Sequence, residues 1–315
     1  MEQPTLPEGY TRRPLALADA ERIADVMGAE ELLATGEVGV EAADLVADWS
    51  EPSYDLATHS VGVLSPDGDL VGYAEAYGGD RADAAVHPDH HGLGIGTALA
   101  RWVVARAGEL GADRVGMPNP VGSPGDRLLE ALSWEARWTS WVLELPEGRT
   151  VPERPLPEGH TIREATGADY EQAWDVVESA FLEWSERPRQ QFDKWLHHVL
   201  GRPGFEPWNL RVATDPDGAI VGVVIILLYG VDDPDGAEGF IEKVAVRRDR
   251  RGLGLGQALL AESFACARAH GAVRSRLSTD SRTGALSLYE RVGMQVIQEW
   301  VNRAAPTSPH LSPVE

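Results

Sequence analysis

Two stretches of this sequence combine residue types suited to gripping a phosphorylated ligand. The second reads Val244-Ala245-Val246 and then Arg251-Gly252-Leu253-Gly254-Leu255-Gly256-Gln257. The first, 160 positions earlier, reads Ala84-Ala85-Val86 and then His91-Gly92-Leu93-Gly94-Ile95-Gly96-Thr97. Each is a short apolar run entering a glycine turn that opens a helix-forming segment. Backbone N–H groups at such a turn lack an intrahelical partner, and the helix dipole favours negative charge there. Glycine lets a phosphate approach the main chain, and successive amides make a nest. Arg247, Arg248, Arg250 and Arg251 crowd the second turn of an otherwise acidic chain, which again points to an anion. A Walker-type loop is excluded, because Gln257 or Thr97 follows where Lys-Ser/Thr is required. A dinucleotide fingerprint fails too, since the sixth position counted from Gly252 is Gln257.

The elements that must hold these turns are repeated. Leu6-Pro7-Glu8-Gly9-Tyr10-Thr11 recurs as Leu156-Pro157-Glu158-Gly159-His160-Thr161, and Pro66-Asp67-Gly68 with Val71-Gly72 recurs as Pro216-Asp217-Gly218 with Val221-Gly222. Both offsets are 150, so the second copy carries about ten more residues before its glycine turn, best placed in 229–239. Two domains are expected, 1–145 and 159–304, joined by a linker at 146–158 that holds four prolines across 146–157 and followed by a disordered tail at 305–315. In the second copy, 168–182 and 187–200 read as amphipathic helices, 209–214 and 219–229 as a hairpin, and 239–246 as a strand. A helix over 254–270 ends at Gly271, followed by a strand at 273–279, a helix at 283–292 and a last strand at 294–303. The first copy follows the same order. The fold class is α/β (α+β): two tandem domains, each a mixed, mostly antiparallel sheet with helices on both faces.

What survives of the loop is Arg-x-x-Gly-x-Gly at Arg251, Gly254 and Gly256, which resembles the pyrophosphate loop of the GNAT acetyltransferase superfamily. The segment Thr283 to Met294, with Tyr289 and Gly293, is similar to that family's final helix, and Glu242 with Val244, Ala245 and Val246 resembles its central strand. The resemblance implies a tandem GNAT protein of the broader two-domain group that includes mycothiol synthase. It implies acetyl-CoA as cosubstrate, Glu242 as general base and Tyr289 as the acid that protonates the leaving thiolate. Val244, Ala245, Val246, Arg251, Gly252, Leu253, Gly254, Leu255, Gly256, Gln257 and Ser281 then bind the cofactor. Ser281 stands where the family often has Asn, and Met294 where it has Phe. An alkyl ammonium with a pKa near ~10.4 is neutral about once in a thousand at pH 7, so a carboxylate base is needed.

At an offset of 160, Glu242, Arg251, Tyr289 and Gly293 map to Ala82, His91, Leu129 and Ser133. The first copy is therefore expected to be degenerate, keeping at most a second cofactor site at Ala84, Val86, Gly92, Gly94, Gly96 and Thr97. Asp83, on the opposite sheet face from Ala82, is expected to be a poor substitute for the base. The expected reaction is acetyl transfer to the amine of a small cationic metabolite or antibiotic, catalysed by the second copy. An acyl-CoA sensor without catalysis, or a protein amine acetyltransferase, are the alternatives.

Composition sets bounds on these readings. The formal charge of −22 argues against nucleic-acid and anionic-membrane partners, because no basic stripe can release counterions. A small-molecule acceptor remains the expected partner. Cys266 is the single cysteine, which excludes an internal disulfide and favours a packing role. No metal is expected: His87, His90 and His91 share a turn with Pro88 and read as solvated. Trp174, Trp184, Trp195 and Trp208 read as core, and Glu183, Glu186 and Asp193 as a wet helix face. Met1 to Tyr10 shows no signal-peptide pattern, and the longest apolar run, 219–231, is too short to span a bilayer, so a cytoplasmic site is expected.

Overall fold

A computed structural model describes residues 5–50, 54–146, 148–152, 155–185, 187–202, 204–231 and 236–307. The chain divides into two compact units, one of residues 1–139 with 298–315 and the other of residues 140–297.

The first unit begins with β1 (Thr11–Arg13), α1 (Ala20–Thr35), α2 (Ala42–Trp49) and α3 (Leu56–His59). Then come β2 (Ser60–Leu64), β3 (Leu70–Ala76), β4 (Ala82–Val86), α4 (Ile95–Glu109), β5 (Arg114–Pro120) and α5 (Pro124–Ala131). The strands β1 to β4 pair antiparallel in sequence order. One sheet face packs on α4 through Val71, Ala82, Leu99 and Val103. The other packs on α1 and α2 through Ile23, Leu45, Trp49 and Tyr73. The strand β6 (Glu135–Leu145) follows, and its residues from Ser140 onward belong to the second unit.

The second unit continues with β7 (Thr161–Glu164), α6 (Tyr170–Phe181), α7 (Phe192–Leu200), β8 (Leu210–Thr214), β9 (Ile220–Tyr229) and β10 (Ala237–Val246). It ends with α8 (Leu255–Ala269), β11 (Ala272–Asp280), α9 (Leu286–Arg291) and the start of β12 (Gln295–Pro306). The strands β7 to β10 are antiparallel, β11 runs parallel to β10, and residues 140–145 of β6 run antiparallel to β11. Strand β9, Ile-Val-Gly-Val-Val-Ile-Ile-Leu-Leu-Tyr, is apolar throughout because both its faces are covered, by α8 on one side and by α6 and α7 on the other.

Each copy of the repeat is therefore completed by a strand from elsewhere. Residues 140–145 close the second unit, while residues 300–306 of β12 pair with β5 in the first. These units differ from the limits 1–145, 146–158 and 159–304 read from the sequence, since a repeat records ancestry in the chain and not which edge a strand finds. The disordered tail expected from residue 305 is corrected in part: β12 runs through Pro306, and the Thr307 N–H donates to the Asp113 carbonyl at 3.0 Å. The rest of that tail, residues 308–315, lies outside the described residues, as do Glu186 and part of the insertion at 229–239.

The helix expected over 187–200 starts only at Phe192. Glu178, 1 % exposed, takes bidentate bonds from Arg187 (2.8 and 2.7 Å) and one from the Gln190 N–H (2.9 Å), and Pro188 removes a helix donor between them. A buried carboxylate thus holds 187–190 outside the helix.

Candidate active site

The glycine turn of the second unit is built by its backbone angles. β10 ends at Val246, the Arg247 N–H donates to the Val221 carbonyl (2.9 Å), and Gly252 and Gly254 adopt φ of 79° and 85°. Those left-handed angles suit glycine and swing the chain directly into α8. No side chain caps α8 at Gly254, so the amides of its first turn are left for an anion.

A cleft of about 720 Å³ opens at this turn. Val244, Ala245, Val246, Arg251, Gly252, Gly254, Leu255, Gly256 and Gln257 line it, together with Glu242 and Tyr289. Two expected cofactor residues are not part of the lining. Leu253 is 43 % exposed, and Ser281 sits exposed on the turn after β11, while its neighbours Thr279, Asp280 and Arg282 face the cleft.

Glu242 reaches the cleft through an irregularity in β10. Opposite β9, Ile241 pairs with Ile226 and Lys243 with Ile225, so Glu242 is the extra residue of a β-bulge. Its Oε1 accepts from Lys243 Nζ (3.0 Å) and its Oε2 from Arg202 Nη1 (3.1 Å). Tyr289, on α9, is 7 % exposed and lines the same cleft. Burial pushes its phenol up to about 12, and among the described residues its hydroxyl has no hydrogen-bond partner. A phenol that stays protonated near neutral pH therefore lines a cavity that also holds a carboxylate.

The turn after α6 adds two contacts that the sequence does not announce. Glu183 accepts both prongs of Arg251 (2.8 and 2.7 Å), and Arg251 Nε reaches the Val246 carbonyl (3.1 Å). Arg251 holds the Glu183 carboxyl below its usual range. Beside it, Trp184 lies 5.0 Å under the Arg282 guanidinium, which is itself clamped by Asp280 (3.1 and 2.6 Å). Trp184 therefore belongs to the cleft wall. Trp195 is core, Trp208 stacks on His270 at 4.0 Å, and the Trp174 indole donates to the Gln190 carbonyl (3.1 Å). Among the lining residues, Lys243, Arg250, Arg251, Arg282 and Arg291 outnumber the carboxylates of Glu183, Glu242 and Asp280. In a chain of −22, that sign suits a polyanionic ligand.

The first unit has its own cavity of about 540 Å³, lined by Ala84, Val86, Gly92, Gly94, Gly96 and Thr97. Gly92 and Gly94 repeat the left-handed angles, at 74° and 90°. His91 takes the place of Arg251: its Nε2 lies 2.8 Å from the Val86 carbonyl and 3.0 Å from Glu30. His90 Nδ1 meets the Tyr10 hydroxyl at 2.8 Å, so the expected solvated histidine turn is corrected to a hydrogen-bonded, partly buried one. Leu129, buried, replaces the phenol. Strand β4 pairs with β3 without a bulge, so Glu242 has no counterpart there. The constant offset that equates Glu242 with Ala82 fails at this point. Ala82 is core, and the cleft-facing position is Asp83, the counterpart of Lys243.

The family model described as Acetyltransferase (GNAT) family matches residues 29–120 and again 170–294. The chain belongs to the GNAT acetyltransferase family. It is similar to the mycothiol acetyltransferase of Salinispora arenicola, 32 % identical over 253 residues covering 75 % of this chain and 78 % of that one. The mycothiol acetyltransferase of Saccharomonospora viridis is 27 % identical and covers 91 % of this chain and 96 % of its own. A crystal structure of a GCN5-related N-acetyltransferase from Sphaerobacter thermophilus matches with a TM-score of 0.79 at 30 % identity, covering 97 % and 98 % of the two chains. A tandem GNAT protein from the clavulanic acid biosynthesis pathway shares the fold, with a TM-score of 0.70 at 17 % identity over 95 % and 99 %. The chain is thus a tandem GNAT N-acetyltransferase, and the acyl group in this family comes from acetyl- or acyl-CoA. No helix among the described residues is long and apolar enough to cross a membrane.

Sequence reasoning missed Glu183, Lys243, Arg202 and Ser140 as parts of the GNAT cleft region. Ser140 lines the cleft from β6, which the repeat assigns to the first domain. Arg202 reaches Glu242 from just beyond α7, a contact 40 positions apart that no motif encodes.

Proposed function

We propose that the second unit transfers the acetyl group of acetyl-CoA to the amine of a small-molecule acceptor by direct attack. One observation carries this reading: the bulge brings Glu242 into the cleft that also holds the unpartnered phenol of Tyr289 and the uncapped amides of α8. The amides at 255–257 would hold the cofactor's pyrophosphate, with Val244 to Val246 alongside its amide-bearing arm as an added strand would lie. Main-chain N–H groups beside the bulge would polarise the thioester carbonyl. Glu242 takes the proton from the acceptor's ammonium, directly or through a water, and the freed lone pair attacks the carbonyl carbon. As the carbon–sulfur bond breaks, Tyr289 gives its proton to the departing sulfur, and the second proton that the nitrogen sheds on becoming an amide restores the phenol. No covalent enzyme intermediate is needed.

The two cations on Glu242 favour an acceptor that presents one amine and disfavour a polycation. The relatives named mycothiol acetyltransferase make the amine precursor of mycothiol the first acceptor to try. Coenzyme A release from acetyl-CoA, followed across a panel of that precursor and other primary amines, tests the proposal. Turnover with at least one amine that falls in Glu242→Gln supports it. Tight cofactor binding with no turnover across the panel would favour a non-catalytic acyl-CoA sensor instead.

A further inference from the structure

The two units differ on the sheet face opposite the α4 and α8 helices. In the second unit this face of β9 is apolar, with Val223, Ile225 and Leu227 in the core. The matching positions of β3 and its exit, 150 residues earlier, are Tyr73, Glu75 and Tyr77. Across the ladder, Glu75 pairs directly with Asp83. Two carboxylates facing each other on a buried sheet are ordinarily destabilising, and a unit kept only as a scaffold has no use for them.

Their partners leave the negative charge in excess. Glu75, fully buried, accepts from the hydroxyls of Tyr54 (2.8 Å) and Tyr77 (3.2 Å). Asp83 pairs with Arg81 at 3.1 Å, but that guanidinium is mostly exposed. Glu31 accepts from the amides of Gly39 and Val40 (2.8 and 3.1 Å). Burial raises the carboxyl pKa of both Glu75 and Asp83, against the lowering effect of Arg81 on Asp83. Within this field stands Tyr73, 1 % exposed, whose side chain lines the cavity and whose hydroxyl has no hydrogen-bond partner among the described residues. The unmet groups are thus a phenol oxygen and an under-compensated carboxylate, both bordering one cavity of about 540 Å³.

We infer that the first unit binds a small organic ammonium in its cavity, held by the Asp83 carboxylate and the Tyr73 hydroxyl. The ammonium donates to both oxygens and supplies the positive charge that the cross-strand pair lacks. With Leu129 where the second unit has Tyr289, the amine is retained and not acetylated there.

Calorimetric titration of the full chain with tyramine and with D-glucosamine, each against its uncharged counterpart (tyrosol, N-acetylglucosamine), tests this. The amines should bind and the uncharged counterparts should not. Asp83→Asn and Tyr73→Phe should each weaken amine binding at one site by about tenfold or more. The same two variants should leave coenzyme A release by the second unit unchanged, and Glu242→Gln should leave the Asp83-dependent site intact. Equal affinity for charged and uncharged probes, absence of binding by both amines, or unaltered affinity in both variants would each overturn it. Loss of coenzyme A release with this site intact would instead count against the proposed function alone.

Discussion

Arg251 and Glu183, 68 positions apart, meet as a two-pronged ion pair beside the glycine turn of the second unit, at 2.8 and 2.7 Å. The first unit repeats the contact with His91 and Glu30 at 3.0 Å. The basic residue that opens each glycine turn is thus already engaged by a carboxylate. Both Arg251 and Glu183 are partly exposed, so the pair adds little stability and can exchange partners at little cost. Under the proposed function, main-chain amides would hold the pyrophosphate first, and Arg251 would join only by leaving Glu183.

This competition is measurable. Glu183→Gln should lower the KM for acetyl-CoA by about threefold, and Arg251→Ala should raise it by a similar factor, with kcat nearly constant in both. Opposite signs for the two variants are the signature. A KM raised by Glu183→Gln would mean that the carboxylate helps to build the turn.

Removal of the carboxylate at the bulge should act on turnover. Glu242→Gln should reduce kcat by ~10² or more while coenzyme A affinity stays within about twofold. Steady-state kinetics with equilibrium titration of coenzyme A checks both halves. An equal loss in affinity and turnover would assign Glu242 to cofactor binding.

The phenol of Tyr289 sets a condition on pH. Burial raises its pKa to about 12, so the folded state holds this proton more tightly than the unfolded chain does at ~10. The associated stability is present in full below the unfolded value and is lost as pH rises through about 12. In the kcat/KM profile, Tyr289 should cause no alkaline decline below about pH 10. A descending limb near neutrality that disappears in Tyr289→Phe would contradict its role as a donor that remains protonated.

Asp169, just before α6, accepts both prongs of Arg163 (2.6 and 2.9 Å) and the Thr166 N–H (2.8 Å), which hold its carboxyl well below the usual range. Asp19 repeats this with Arg13 in the first unit. A depressed carboxylate gives stability that is present above its unfolded pKa and lost as pH falls toward the folded one. Asp169→Asn should therefore destabilise by about 1–2 kcal/mol at pH 7, and the gap to wild type should narrow below about pH 4. Thermal melts across pH read this out, and a gap that widens on acidification would contradict it.

Much of the second unit was legible because its signals are local. Periodicity placed α8 and β9, and Gly252 and Gly254 marked a turn that needs left-handed angles. The fold class followed from the order of these elements. What stayed hidden depends on register. One extra residue at Glu242 breaks the offset that aligns the two copies, so Asp83 was placed away from the chemistry although it lines a cavity. The exchanged strands were hidden too, because the residues that close each unit belong by descent to the other copy. Ser133 shows the reverse case. It replaces Gly293 yet keeps a positive φ of 62°, so backbone shape outlasted the residue that explains it.

The most direct test of the second unit's role is coenzyme A release by Tyr289→Phe beside the wild type, with coenzyme A affinity measured on the same samples. The account requires turnover to drop by ~10² or more with affinity nearly unchanged, since only a donated proton is lost. Undiminished turnover in that variant would contradict it.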